Sequence, residues 1–388
     1  LINKQPQHPE ARIPVRITLL TNLVPPYRAA AYDALHHHAQ ATGGGLRVLC
    51  TQQREPQRNW SISTAGFAHA ILPGMQFPLG ENRTLAIPFG VTRSLRHAPP
   101  DALILAGFGL AQWQAQNWAL GCDIPTIVQF DGWSGSDAAY ANPVRHKLRK
   151  LMIARADGFI AAGSRGAIWF EKHGAPAGRI GIAPIPPSFP PPGFTPGPNV
   201  SDRHYDLLWC GRTTTSKGFD VFVKIATELV KGDPPRRIAI IGSPDIAKTT
   251  KDAISAGLKD QADIFGLVPP EQLPAFLTNS KIALFPSRND AYGVGVIDAI
   301  TCGALALASP MTGCAPDVLK PSETLPIDVP QRWVLACKQL LNDAKRYQNT
   351  RQQQASAIAD NNPLHHGKAI WDAACDAVKC RSEIQQWG

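Results

Sequence analysis

The chain has no uninterrupted apolar run near the roughly 20 residues that a membrane-spanning helix needs. Its opening stretch, LINKQPQHPEARIPVR, is polar and lacks the apolar core of a signal peptide. A cytoplasmic location is the expectation, with room for peripheral contact at the inner face of a membrane. The chain does not begin with Met, so its natural start can lie upstream. The 8 cysteines stand singly and none forms a CxxC pair, which argues against a zinc knuckle or redox couple and for a reducing compartment. No Asp-x-Asp triplet occurs, so a metal clamp on a diphosphate has no support, and neither a metal nor any other cofactor is expected. The run His36–His38 sits in a helical pattern, where adjacent side chains point in different directions and make no metal site. No basic stripe is interleaved with aromatics, so nucleic acid is not an expected partner.

What is present is length and positive charge. With 388 residues the chain is comfortable for two domains, and its formal net charge of +9 suits an anionic ligand or an anionic membrane face. Apolar runs at 15–21, 46–51, 101–107 and 124–130, and DGFIAAGS ending at Ser164, read as strands alternating with helices. This is α/β organisation with a largely parallel sheet. Residues 185–204 are dense in Pro and Gly and read as a connection. A second α/β series follows, with strands at DLLWCG, RRIAIIG and KIALFP, and HHGKAIWDAACDAVKCRSEIQQWG closes the chain as a helix or helix pair. The domains are drawn as 1–187, a linker at 188–204, and 205–367, with 368–388 returning to the first domain.

The densest chemistry lies between Lys281 and Ser309: strand, loop, helix, glycine stop, strand. Asp290 precedes the helix and Asp298 lies about one turn inside it. The first N–H groups of a helix have no intrahelical partner and suit a phosphate, and Gly293 lets the backbone approach a ligand there. Two carboxylates flanking such a start suit a phosphorylated ligand with hydroxyls on both sides, such as a nucleotide-sugar. The same two residues also fit loop polarity and a solvent-facing helix position, where an early Asp stabilises the dipole without a ligand. In WCGRTTTSKGFDVF a strand ends at Gly211, and Arg212 and Lys217 follow, placed to hold a diphosphate as fork and point charge, or simply to sit in a solvated turn.

The segment D-AYG-VGVI-D-AITCG-ALALA resembles the signature of retaining GT-B glycosyltransferases of family 4, in which two acids flank Gly-Phe-Gly and four variable residues. Both family glutamates are Asp here, one methylene shorter. The Gly-Arg at 211–212 and Lys-Gly at 217–218 resemble the same family, closely in the second domain and loosely in the first. The resemblance implies a GT-B fold, with two Rossmann-like domains facing across a cleft and the last helix crossing back. It implies transfer of a sugar from a UDP- or GDP-sugar to a hydroxyl of a glycan or lipid-linked saccharide, with retention, in bacterial surface polysaccharide or glycolipid synthesis. Asp298 would hold the ribose, Asp290 the sugar, the backbone at Tyr292, Gly293 and Val294 the phosphates, Gly266 and Leu267 the base. Arg212 and Lys217 would stabilise the leaving diphosphate. A nucleotide-sugar epimerase or hydrolase on the same fold, or a catalytically silent partner subunit, remain open.

In the first domain Asn22, Tyr27 and Arg28 follow the first strand and face the cleft, where many family members carry a Gly-rich loop instead of Pro-Pro. Asp131 ends the fourth strand and could accept the acceptor's proton, or merely cap a turn. Ser164 and Arg165 follow another strand and are placed at the cleft. The helix pattern at 143–156 carries Arg145, Lys147, Arg149, Lys150 and Arg155, which fits a solvated face or an anionic membrane surface.

Overall fold

A computed structural model describes residues 14–52, 66–78, 84–138, 142–189, 200–232 and 236–387. The first domain is built on seven parallel strands, in the order Ala68–Ile71, Gly45–Cys50, Arg16–Thr21, Ala102–Ala106, Thr126–Phe130, Gly158–Ala161, Ile180–Ile182. The second has five, in the order Ala262–Ile264, Ile238–Ile241, Tyr205–Cys210, Ser280–Phe285, Leu305–Ala308, also all parallel. The runs at Ile238–Ile241 and Leu305–Ala308 are buried at every position, because helices cover both faces of a parallel sheet.

Each sheet has one place where the chain changes direction of growth. In the first, Arg16–Thr21 pairs with Gly45–Cys50 on one side and Ala102–Ala106 on the other. In the second, Tyr205–Cys210 lies between Ile238–Ile241 and Ser280–Phe285. Loops leaving the carboxyl ends of strands diverge at such a switch and leave a crevice. Here those loops carry Asn22 and Gly107 on one side and Gly211 and Arg212 on the other, and they line cavities between the domains.

The last helix, Pro363–Trp387, starts five residues before the expected boundary at 368 and packs on the first domain. Ile370, Ala374 and Ala377 are buried with Ala29, Tyr32 and Leu35 of the helix Pro26–Gln40. Gly367 marks the contact: a Cβ there would stand 2.7 Å from the Ala31 carbonyl oxygen, so no side chain fits between the two helices. Most of the expected linker, residues 190–199, lies outside the described residues. The described part is held down, with Phe189 buried in the core of the second domain. No helix among the described residues is long and apolar enough to cross a membrane.

The basic helix is Pro143–Ala154. Lys147, Lys150 and Arg155 are exposed, as a solvated face requires, but Arg149 is not on that face. It is buried against Asp137, with its guanidinium 5.1–5.4 Å from the ring centres of Phe108, Phe130 and Trp169. A guanidinium is weakly hydrated and stacks on aromatic faces, which makes this burial tolerable when a carboxylate neutralises it.

Candidate active site

Two adjoining cavities, of about 390 Å³ and about 730 Å³, are lined from both domains and share Tyr27, Asp131, Arg212, Lys217, Asp290 and Ala291. The smaller belongs mainly to the second domain. Its floor is the start of the helix Val294–Thr301, capped by Gly293 in the left-handed region at φ +100°. A Cβ on Gly293 would also meet the Thr312 methyl at 2.4 Å, so only glycine allows this turn. Val294 and Gly295, in the first turn, line the cavity. The Tyr292 ring is buried, and its hydroxyl accepts from Ile185 N (3.2 Å) and from Asn361 Nδ2 (2.6 Å), so the side chain fixes the loop.

Asp290 and Lys217, 73 residues apart, form an ion pair with Nζ donating to Oδ2 at 2.6 Å. Arg212 lines both cavities beside them. The neighbouring Arg288 is turned away, in a bidentate pair with Asp220 at 2.6 and 2.7 Å. Gly211, Leu267 and Asp298 also line the smaller cavity, whereas Gly266 stands behind it, its carbonyl accepting from Gly242 N at 3.0 Å.

Asp298 is 6 % exposed, so it is no solvent-facing helix residue. Its two oxygens accept from Ser188 N (2.7 Å) and Ser188 Oγ (2.8 Å). Burial pushes the carboxyl up to about 7, and the two Ser188 bonds pull the other way without prevailing. Cys210 lines the same cavity, and burial, then the nearby Asp298, push its thiol up to about 12. It is no nucleophile at neutral pH.

The larger cavity faces the first domain. Asn22, Tyr27 and Arg28 line it, with Asp131 across from them. The Arg28 guanidinium is buried, donating to Asp131 Oδ1 at 2.5 Å and to His366 Nε2. Burial alone would favour a neutral Arg28; Asp131, with Tyr32 and Tyr27, outweighs it and raises the pKa. His366 is held far below the ordinary histidine range by burial and then by Arg28. As the neutral tautomer it donates from Nδ1 to the Pro184 carbonyl at 2.9 Å and accepts from Arg28 at Nε2. Thus the crossing helix stands behind the cleft wall and holds Asp131 through one arginine.

Ser164 and Arg165 line neither cavity. They join the domains instead: Ser164 N donates to Asp317 Oδ2 at 3.1 Å, and Arg165 donates to the Pro310 and Thr312 carbonyls at 2.7 and 3.2 Å. The reason is reach, since their helix starts at Ser164 on the side facing Asp317. Sequence reasoning passed over Trp133, whose Nε1 donates to the Asp290 carbonyl at 3.1 Å and whose ring lies 4.3 Å under the Arg165 guanidinium. It sits two residues from Asp131, and an aromatic at a strand's carboxyl end was the available signal. Ser188 and the role of His366 were also passed over, and their partners lie too far away in sequence to suggest them.

Residues 197–356 match the model of the family described as Glycosyl transferases group 1. Among curated proteins, the chain is similar to the D-inositol 3-phosphate glycosyltransferase of Segniliparus rotundus, 22% identical over 209 residues, 50% of this chain and 45% of that protein. The chain spans about half the length of the curated relatives it matches. Among solved structures it is similar to Anabaena HepE in complex with UDP, with a TM-score of 0.65, 13% identity, and coverage of 96% of this chain and 98% of that one. It is likewise similar to the apo lipopolysaccharide outer core galactosyltransferase WaaB, with a TM-score of 0.67, 13% identity, and coverage of 92% and 98%. The chain has the GT-B fold, and its second domain matches the family model of the group 1 glycosyl transferases.

Proposed function

We propose that the protein moves a sugar from a nucleotide-sugar to a hydroxyl of a glycan or lipid-linked saccharide, with retention at the anomeric carbon. The observation that carries this reading is the Lys217–Asp290 pair, set with Arg212 at the start of the helix Val294–Thr301, in a cavity that opens toward Arg28 and Asp131. The relatives' names add support: one is a glycosyltransferase and one was solved with UDP, which favours a UDP-sugar over a GDP-sugar.

The chemistry follows from charge. As the glycosidic bond to the diphosphate breaks, negative charge grows on the leaving oxygens. Arg212, Lys217 and the helix N–H groups are fixed where they neutralise it, which lowers the barrier without reorganisation. In this reading no metal is needed on the diphosphate, and turnover persists in EDTA. Lys217 exchanges part of its bond to Asp290 for a phosphate oxygen. Asp290 is then freed to orient the sugar hydroxyls. Asp131, held by Arg28, accepts the proton of the acceptor hydroxyl. The larger cavity, with Asn22, Arg28 and Arg145 on its wall, takes the acceptor.

A role in surface polysaccharide or glycolipid synthesis, at the inner membrane face, belongs to the same proposal. Its support is the exposed Lys147, Lys150 and Arg155 beside Val144, which is 77 % exposed. The test is turnover of UDP-, GDP- and ADP-sugars in EDTA, with and without lipid-linked saccharides, reading the product anomer by NMR. Acceptor-dependent transfer with retention supports the reading. Turnover without acceptor indicates an epimerase or hydrolase, and no turnover with no nucleotide binding indicates a silent subunit.

A further inference from the structure

Asp298 has the position of a ligand-binding carboxylate but not the exposure of one. It is 6 % exposed, and Ser188 of the interdomain connection lies against both of its oxygens at 2.7 and 2.8 Å. Ser188 itself is half-buried and lines the smaller cavity. The hydroxyl proton of Ser188 is committed to Asp298 Oδ2, which leaves the lone pairs of Ser188 Oγ as acceptors.

The serine is held firmly. Pro186 and Pro187 precede it and restrict the backbone. The Ile185 carbonyl accepts from Asn361 Nδ2 at 2.9 Å, the Ile185 N–H goes to Tyr292, and the Pro184 carbonyl is bound by His366. Phe189 anchors the other side in the core. Ser188 Oγ is therefore a fixed acceptor on the cavity wall, not a passing loop contact.

Its place in the cavity defines what it meets. The phosphate end is the helix start with Lys217 and Arg212, and Leu267, Val268 and Leu273 form an apolar wall suited to a base. Two other polar side chains of the wall belong to the phosphate end, since Thr312 abuts Gly293 and Ser287 follows Pro286, which packs on Gly218. A nucleoside diphosphate spanning the two ends brings its ribose between them, where the Ser188–Asp298 pair stands. We infer that Ser188 Oγ accepts a hydrogen bond from a ribose hydroxyl of the nucleotide, and that Asp298 is a positioning residue that acts through Ser188. This inference rests on reading the cavity as a nucleotide-sugar site.

The experiment is calorimetry of UDP, GDP and ADP on the full chain, followed by the 2′-deoxy and 3′-deoxy forms of the nucleotide that binds best. Wild type is expected to prefer the ribonucleotide over at least one deoxy form by about tenfold, the scale of one well-placed hydrogen bond. Ser188→Ala should reduce that preference to within about twofold, with the deoxy form binding as it does to wild type. Asp298→Asn should lower the preference by a smaller factor, because the hydroxyl proton is no longer drawn to a carboxylate. The ratio is internal to each variant, so a general loss of stability does not imitate it. Should Ser188→Ala not fold, Asp298→Asn reads the same ratio. A full preference kept by Ser188→Ala, an unchanged one in Asp298→Asn, or none in wild type overturns the inference. Failure of wild type to bind any of the three diphosphates overturns the donor-site reading itself, and is seen before any variant is made.

Discussion

The two sides of the cleft are built by different means. The second-domain side is mostly backbone, a glycine-capped helix start backed by one ion pair, Lys217–Asp290. The first-domain side is mostly side chains in series, in which the neutral His366 accepts from Arg28 and Arg28 holds Asp131. A backbone site can be encoded in one contiguous stretch, because neighbouring residues supply the turn, the cap and the N–H groups. A side-chain relay must be gathered from wherever the fold brings its members together, here from residues 28, 131 and 366. The comparison teaches that the sides should fail differently: the second-domain side loses catalysis with its structure intact, and the first-domain side loses structure along with its geometry.

The sharpest break should come from Arg212→Ala. Removing one fixed cation from a site of growing charge typically costs about 10²–10³ in turnover. We expect that loss with a thermal midpoint close to wild type, measured by steady-state kinetics and calorimetric melting. An unstable variant would show that the second-domain side is also a structural relay.

Next in size is Arg28→Ala. It strands a buried His366 and leaves Asp131 without its donor. Breaking one side of a buried pair costs about 3–5 kcal/mol, and the 38 % exposure of the Asp131 side chain reduces this to roughly 2–3 kcal/mol. Urea unfolding measures it, and a midpoint equal to wild type would dissolve the contrast between the two sides.

Asp298 offers a smaller, pH-dependent test. Its carboxyl sits at about 7 in the folded protein and near the ordinary aspartate value of 3.8 when unfolded. Between those values the folded state binds the extra proton. The contribution of Asp298 is therefore fully present below the unfolded value and is lost as pH rises toward 7. Asp298→Asn removes this loss, so its melting temperature relative to wild type should climb from pH 5 to pH 8. A constant difference across that range would mean Asp298 is already ionised at pH 5.

The smallest effect is expected at Trp133→Phe, which keeps the ring under Arg165 and removes only the bond to the Asp290 carbonyl. One such bond is worth about 1 kcal/mol, so turnover should fall by about fivefold or less at nearly unchanged stability. A loss as large as that of Arg212→Ala would make the indole part of the catalytic constellation.

Legibility in the sequence followed the same divide. The stretch from Lys281 to Ser309, with its strand, glycine cap and glycine stop, matches the observed Ser280–Phe285, Val294–Thr301 and Leu305–Ala308 within a few residues, because each element is signalled locally. The helix Leu110–Gly121 carries no such signal. Its Gln112 and Gln116 are buried, and Gln116 Nε2 donates to the Met152 carbonyl at 2.8 Å, so polar residues stand on the core face and blur the amphipathic pattern. Arg149 misled for the same reason, since a cation read as solvated is neutralised by Asp137 and covered by aromatics from three other segments. The Ser188–Asp298 pair, 110 residues apart, was beyond any local pattern.

The most direct measurement is calorimetry of UDP, GDP and ADP in EDTA on wild type, Arg212→Ala and a folded Arg28→Met variant. The account predicts that one nucleotide binds wild type and Arg28→Met with similar affinity and is lost from Arg212→Ala. Equal loss in both variants, or undiminished binding to Arg212→Ala, would contradict a donor site whose affinity comes mainly from the second-domain side.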